Sequence, residues 1–517
     1  MNLWGGKGGK GGKLMKPFTA FEKYVDSDGG EYRKFVVSGK RQYCATDVYC
    51  VIKFAGVRLE DKVGLGTVEQ YLGDVGDLTA EKEYLKMVCV ITWANDRKFV
   101  GYLEDIYKDQ RKNLDDCPDI YSVDPVGCID IDDALCVKYN STEGVYDVAV
   151  HIADVSCYIP DRSSLDEELS YRGESVYLKS FQGMMIPKKL VGCYSLTAGT
   201  AKNVFSVFAV FNQDYKLISV NFQRSRIIVK ENLSYEAAWE KINMRDDTSL
   251  ILVYDFGRKL REILGLNSDG VAYDTHLMVE AYMVFANTLV ARQLAEVNAE
   301  NVLLRRHKGA KRELYKNDTK DLELIKKANI LLMNKAEYCI GVSEDSKHIG
   351  LGCDLYTHFT SPIRRYADIL VHRMLTNVNY KTDEKTILQL NMQHCKYNKC
   401  ERLAEQLEKI FHMKAQHGDV FDMDGYIVDI INTGKKLRVK IYLGDLTVNS
   451  TIFGEKLSHL VKIEEDKNKL IVHGLKHSVT LSMFQKVKIK IAITTTTQQK
   501  MIIKIIDPNL DFIFCDS

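Results

Sequence analysis

From Ser122 to Leu135 the chain reads Ser-Val-Asp-Pro-Val-Gly-Cys-Ile-Asp-Ile-Asp-Asp-Ala-Leu, placing Asp124, Asp130, Asp132 and Asp133 within ten residues. The carboxylates are interleaved with Val123, Ile129, Ile131, Ala134 and Leu135, an apolar set that a merely solvated acidic loop does not need. Pro125 and Gly127 read as a tight turn after a short strand, and Ile129 to Leu135 as a half-buried segment. Carboxylates this close repel one another and raise each other's pKa values, so they coexist at low cost only beside a cation. Hard oxygen ligands suit Mg²⁺ or Mn²⁺ rather than zinc. The chemistry that follows is metal-assisted attack on a phosphate. Acidic surfaces and calcium loops also carry such clusters, but an EF-hand is excluded because its downstream Gly and Glu positions hold other residues.

Other stretches could position groups around such a centre. Thr360-Ser361-Pro362 predicts a helix start, with a hydroxyl N-cap and proline in the first turn. Ile363, Ala367, Leu370, Val371 and Met374 would form its buried face, and Arg364, Asp368 and His372 another. An arginine in the first turn of a helix adds a charged fork to N–H groups that already attract phosphate. The alternative is an Arg364–Asp368 surface ion pair, worth only ~0.3–0.5 kcal/mol. Met278, Ala281, Tyr282, Phe285 and Leu289 recur at helical spacing, with Glu280 beside the stripe. Tyr177 stands in a strand-like Ser-Val-Tyr-Leu, where a tyrosine is ordinarily core.

The 517 residues suffice for about three domains and a large core. A formal net charge of +1 excludes a global basic field, so a nucleic acid would have to be held in a local channel. Thirteen cysteines, an odd number without a CxxC pair, predict free thiols in a reducing compartment and neither a disulfide frame nor a zinc site. No apolar run approaches the ~20 residues of a membrane helix, and the glycine-rich start does not fit a signal peptide. A soluble intracellular protein is expected, with no membrane partner.

Residues 5–13 repeat Gly-Gly-Lys three times, a flexible basic tail. Phe35 to Val37, Val48 to Phe54, Val88 to Trp93 and Phe99 to Leu103 read as short strands that suit a small barrel. Past residue 413 the pattern turns to strands again, at Gly425 to Ile430 and Leu437 to Leu443. Val487, Ile489 and Ile491 alternate with Lys486, Lys488 and Lys490, predicting one apolar and one basic face.

The aspartate stretch resembles the signature of the RNB family, the RNase II, RNase R and exosome-type 3′→5′ exoribonucleases. The resemblance continues in order through Val150 to Ser156, Arg172 to Leu178 with Ile186-Pro187, and Cys193 to Leu196. It extends through His276 to Glu280, Leu303 to His307, and Tyr356 to Asp368 with Val371 to Arg373. Two departures stand out: Cys157 replaces a histidine after Val155-Ser156, and Lys308-Gly309-Ala310 replaces a proline run after His307.

The resemblance implies a multidomain α+β protein, with a central catalytic domain flanked by small OB-type RNA-binding barrels. Its divisions would be a tail at 1–16, a cold-shock-type OB-like domain at 17–110, an RNB domain at 111–413 and a C-terminal OB-type domain at 414–517. It further implies processive hydrolysis of single-stranded RNA to nucleoside 5′-monophosphates by a monomer with two Mg²⁺ ions, or Mn²⁺. Asp124, Asp130, Asp132 and Asp133 would hold the ions, with Asp132 and Arg364 as the catalytic pair. Arg364 would steady the phosphate, Tyr177 would stack on a terminal base, and Glu280 and Glu405 would contact RNA. Two rivals are a catalytically weak RNA-binding protein that keeps the fold, and a metal-dependent endonuclease.

Overall fold

The computed structural model describes residues 2–3, 18–25, 31–38, 48–58 and 63–90, then 96, 99, 111 and 114, and finally 119–510. Within the last range it omits 179–180, 267–271, 317, 434–435, 445, 454–461, 467–468, 474–477 and 495–499. The Gly-Gly-Lys repeats and most of the strand expected at Phe99 to Leu103 lie outside these residues. The chain divides into two compact units, residues 92–309 with 334–398, and residues 1–91 with 310–333 and 399–517.

The first unit carries the aspartates. Its six-stranded sheet runs in the order Leu217–Ile228, Ala201–Asn212, Val145–Ala153, Asp133–Asn140, Tyr121–Asp124, Glu231–Ser234. All neighbours are antiparallel except the last pair, which is parallel. Helices Thr248–Leu264 and Thr275–Asn298 cover it and share its apolar core. The expected stripe is present, with Met278, Ala281, Tyr282, Phe285 and Leu289 all buried.

One expectation for this unit fails. The helix expected from Thr360 begins only at Tyr366 and runs to Thr376, with Arg365 as its N-cap residue. Ser361 to Arg365 instead form a turn, closed by the N–H groups of Arg364 and Arg365 on Ser361 O at 3.2 and 2.9 Å. The Ser361 and Ile363 N–H groups are taken by the side chains of Asp368 and Asp132, which a continuous helix would not present to them. Asp368 and His372, placed on a separate face by sequence, are as buried as Ile363 and Val371.

The second unit contains a five-stranded sheet near the N-terminus, made of residues 2–3, 48–58, 63–74, 31–38 and 18–25 in that spatial order. The strand expected from Val88 is instead the end of the helix Leu78–Val90, with 91–93 outside the described residues. Asp77 caps that helix through Ala80 N–H at 2.9 Å, and Ala80, Leu85 and Cys89 bury one face. Burial at helical spacing overrides the β preference of the valines.

Nearer the C-terminus a five-stranded antiparallel sheet, consistent with an OB-type barrel, runs Thr447–Phe453, Leu437–Tyr442, Val420–Asn432, Lys486–Thr494, Lys500–Asp507. Val487, Ile489 and Ile491 are buried and Lys486, Lys488 and Lys490 exposed, as the alternation predicts. The basic face, however, is largely neutralised. Asp424 meets Lys486 at 2.7 Å and Asp422 approaches Lys488 at 3.9 Å, because strand register sets a row of aspartates across from the lysines. The expectation of free thiols is also corrected at one pair: Cys89 and Cys400 form a disulfide with Cα atoms 6.6 Å apart, while the eight other cysteines among the described residues are free. No helix among the described residues is long and apolar enough to cross a membrane.

In the first unit, strand Val145–Ala153 runs into Asp154, a fully buried carboxylate. Arg111 and Arg224 lie 2.8 and 2.7 Å from it, and His372 3.8 Å. Burial alone would push this carboxyl up. The His372 imidazole and the two guanidiniums outweigh it and hold Asp154 well below the usual carboxylate range. A depressed folded pKa contributes stability that is present above the unfolded value, about 4, and lost as pH falls below it. Asp154→Ala leaves two cations uncompensated and should cost ~3–5 kcal/mol in urea unfolding at pH 7. Its stability should also fall less steeply than wild type below about pH 4; an unchanged acid limb would contradict this account.

Candidate active site

Strand Tyr121–Asp124 ends at Asp124 and strand Asp133–Asn140 begins at Asp133, so the antiparallel pairing of Tyr121 with Leu135 brings the two carboxylates to neighbouring strand ends. The connection turns at Pro125 to Cys128, where Cys128 N–H donates to Pro125 O at 3.0 Å. Gly127 has φ +78°, the left-handed conformation that a type II turn requires at its third residue. Ile131 is tied at both backbone groups, its N–H to Ser195 Oγ at 3.1 Å and its carbonyl to Leu196 N–H at 3.0 Å. The Cys193 to Leu196 motif thus serves as a clamp on the aspartate segment.

Asp132 is buried, and its Oδ1 accepts the Ile363 N–H at 2.7 Å. Its Oδ2 makes no hydrogen bond and has Arg364 Nε at 3.5 Å, while the Arg364 side chain remains 44% exposed. Asp130 accepts from the Tyr177 hydroxyl on one oxygen and from Cys128 Sγ at 3.5 Å on the other. Asp124 Oδ2 is buried without a hydrogen-bond partner. Four expected elements therefore meet here: the aspartates, Tyr177, Arg364 and the segment around Ile363.

Tyr177 is not core. Strand Val176–Leu178 buries Val176 and Leu178 and leaves Tyr177 39% exposed. Burial of the hydroxyl and the Asp130 carboxylate hold this phenol above its usual range, so it donates at neutral pH. The segment before it is laced to the arginine turn. Ser175 N–H donates to Arg364 O at 2.9 Å, Tyr366 N–H donates to Gly173 O at 2.8 Å, and Glu174 bridges to Arg365. Arg172, almost fully buried, anchors this run through Glu168, Asp96 and the carbonyls of Met184 and Met185.

Glu280 is ion-paired with Arg261, and Glu405 is exposed on the long helix Glu384–His417. Asp368 pairs with Arg365, not Arg364, at 2.8 Å on both oxygens. Tyr235 went unnoticed in the sequence: it stacks on His276 with centroids 3.7 Å apart, and burial, then Asp133 and Asp124, push its phenol up to about 12. The signal available was Ser234, the last residue of a strand and the N-cap of the next helix, whose Oγ accepts the Ala237 N–H at 3.0 Å.

Among the described residues no three His, Cys, Asp or Glu side chains already form a cation cage. The chemistry of the donors nevertheless fits a divalent metal. Burial pushes Asp124 up to about 6 and, together with the Asp124 charge, Asp133 up to about 8. Asp132 is raised well above the usual range by burial, against the pull of Arg364. Buried carboxylate oxygens without partners on Asp124 and Asp132 are hard donors of the kind Mg²⁺ or Mn²⁺ takes.

Residues 111–381 match the RNB domain, just over half of the chain. The chain belongs to the RNB family. The chain is 27% identical over 526 aligned positions to the exosome complex exonuclease RRP44 of Mus musculus, an alignment covering 85% of this chain and 54% of that protein. It is 25% identical over 450 residues to ribonuclease R 1 of Lactococcus lactis, covering 72% and 53%. The chain spans about half the length of these curated relatives. Among solved structures, Mycoplasma genitalium RNase R in complex with ribose-methylated single-stranded RNA superposes with a TM-score of 0.73 at 20% identity, covering 91% of this chain and 85% of that one. Yeast Ssd1, described as a pseudonuclease, superposes at 0.66 with 16% identity, covering 89% and 77%.

The raised pKa values of the RNB carboxylates set a sign for stability. Asp133 holds its proton longer in the folded state, so stability present below about pH 4 is lost as pH rises through about 8. Without metal at pH 8, Asp133→Asn should melt higher than wild type. Added Mg²⁺ should raise the wild-type melting temperature and raise that of the variant much less. Equal Mg²⁺ shifts in both would show that Asp133 is not part of a cation site.

Proposed function

We propose that this chain is a 3′→5′ exoribonuclease that processively hydrolyses single-stranded RNA to nucleoside 5′-monophosphates as a monomer, with Mg²⁺ or Mn²⁺. The observation that carries the reading is a carboxylate cluster in which Arg364 approaches Asp132, Tyr177 donates to Asp130, and buried oxygens of Asp124 and Asp132 accept no hydrogen bond. The same fold names an exonuclease and a pseudonuclease among its neighbours, so fold alone does not decide. The retention of all four aspartates favours the enzyme.

Asp124, Asp130, Asp132 and Asp133 would hold the metal ions, two in number. Bound there, they would supply an activated water and charge stabilisation for the leaving 3′ oxygen. Arg364, half in solvent and beside Asp132, would take the scissile phosphate in a charge-assisted fork. Tyr177, anchored at its hydroxyl by Asp130, presents a ring edge-fixed for stacking on a terminal base, which tolerates any sequence. Glu405 is exposed and free to meet RNA further along, whereas Glu280 would have to share Arg261. The domains at 17–110 and 414–517 would guide the strand to the RNB domain at 111–413. With Asp422 and Asp424 beside its lysines, the C-terminal barrel would do so by more than net charge.

The test uses 5′-labelled linear RNA and a circular RNA of equal length. With Mg²⁺ the linear RNA should shorten from its 3′ end, the circle should stay intact, and EDTA should stop the reaction without unfolding the protein. Cutting of the circle would convert the reading to an endonuclease, and an inert wild-type chain would leave the RNA-binding alternative. A second outcome concerns Tyr177→Ala, which should keep substantial hydrolysis and change the length of the final fragment. Stacking is worth ~1–3 kcal/mol per base, enough to shift where a shortening strand dissociates. An unchanged end product on a sequencing gel would rule out that role.

A further inference from the structure

We infer that Asp368 is a positioning residue that aims Arg364 at the phosphate, acting through Arg365 and the turn from Ser361 to Arg365 without touching RNA. The inference rests on the proposed role of Arg364.

Asp368 is fully buried in the first turn of helix Tyr366–Thr376. Its Oδ1 accepts the Ser361 N–H at 2.7 Å and Arg365 Nη2 at 2.8 Å, and its Oδ2 accepts Arg365 Nε at 2.8 Å. One carboxylate therefore grips both ends of a five-residue turn. Between those ends, Ile363 N–H is fixed on Asp132 Oδ1 at 2.7 Å and the Arg364 carbonyl on Ser175 N–H at 2.9 Å. The Arg364 guanidinium itself is loosely held, 3.5 Å from Asp132 and 44% exposed, so its direction comes from its backbone.

Stability alone gives little reason for this arrangement. Replacing a buried ion pair by apolar residues of similar size is often neutral or stabilising. A bidentate Arg365–Asp368 pair does fix an orientation that greasy contacts leave free. Arg365 faces inward to this carboxylate while Arg364, next in line, faces outward. The two arginines thus have separate roles, one structural and one at the phosphate.

A double-mutant cycle tests the inference on the full chain with Mg²⁺ and a single-stranded RNA oligonucleotide. Asp368→Asn keeps the size and an acceptor for Ser361 but loses the charge that orients Arg365. It should lower kcat on the order of 10²-fold, the scale of a misplacement near 1 Å, with KM changed only a few-fold. In an Arg364→Ala background the same substitution should cost less than about threefold, because the group it aims is already gone. A full loss in both backgrounds would show a general structural role and overturn the inference, as would wild-type kcat in Asp368→Asn. If Asp368→Asn does not melt cooperatively, the double replacement Arg365→Met, Asp368→Leu, which removes both buried charges, is read in the same cycle with the same criteria. A wild-type chain that cleaves no RNA would remove this inference together with the proposed function, whereas cleavage with an additive cycle would remove the inference alone.

Discussion

Four carboxylates crowded into a water-poor pocket make the constraint that the surrounding structure answers. Burial first of all raises the pKa values of Asp124, Asp132 and Asp133, and the charge of a neighbouring aspartate adds to it, because like charges interact several times more strongly there than in bulk water. The protein does not relieve the repulsion by pairing each acid with a base. Asp132 receives one backbone N–H and a distant guanidinium, Asp130 receives a phenol, and one oxygen each of Asp124 and Asp132 accepts no hydrogen bond. Contrast Asp154 on the same sheet, which is flanked by two arginines and a histidine and held strongly acidic. One buried acid is neutralised by protein and the others are left for something else.

Such a pocket needs a frame that does not yield to repulsion. It comes from backbone hydrogen bonds in three separate stretches. Ser195 and Leu196 grip Ile131, the Ala153 N–H holds the Asp132 carbonyl at 2.8 Å, and the turn before Tyr366 meets both Asp132 and Ser175. The conspicuous sequence stretches after the aspartates turn out to be parts of this frame more often than groups that would face a substrate.

Which features could be read in advance follows from the range of the interactions that decide them. The aspartates were legible because they are contiguous and their chemistry is local. Tyr177 and Arg364 were legible through the residues around them. The helix start at Tyr366 was not, since Ser361-Pro362 suits a turn as well as an N-cap and the choice rests on Asp132 and Asp368. The helix through Val88 was hidden by the β preference of its valines, since the face made by Ala80, Leu85 and Cys89 shows only in the folded unit. The neutralised lysine face depended on strand register, which fixes Asp422 across from Lys490 and Asp424 across from Lys488 and has no signature in either strand alone.

The hydrogen bond from Ile363 to Asp132 joins residues 231 positions apart. On a ribosome adding roughly 5–20 residues per second, that separation corresponds to roughly ten to fifty seconds of synthesis. Throughout this interval the emerging chain already carries its acidic segment but has neither the arginine turn nor the helix behind it. Contacts of such long range form late, after the entropy of closing a large loop has been met. An interrupted or truncated product would therefore hold the aspartates without the frame that organises them. The assembled site thereby appears only once the arginine turn has been made, 231 residues after Asp132.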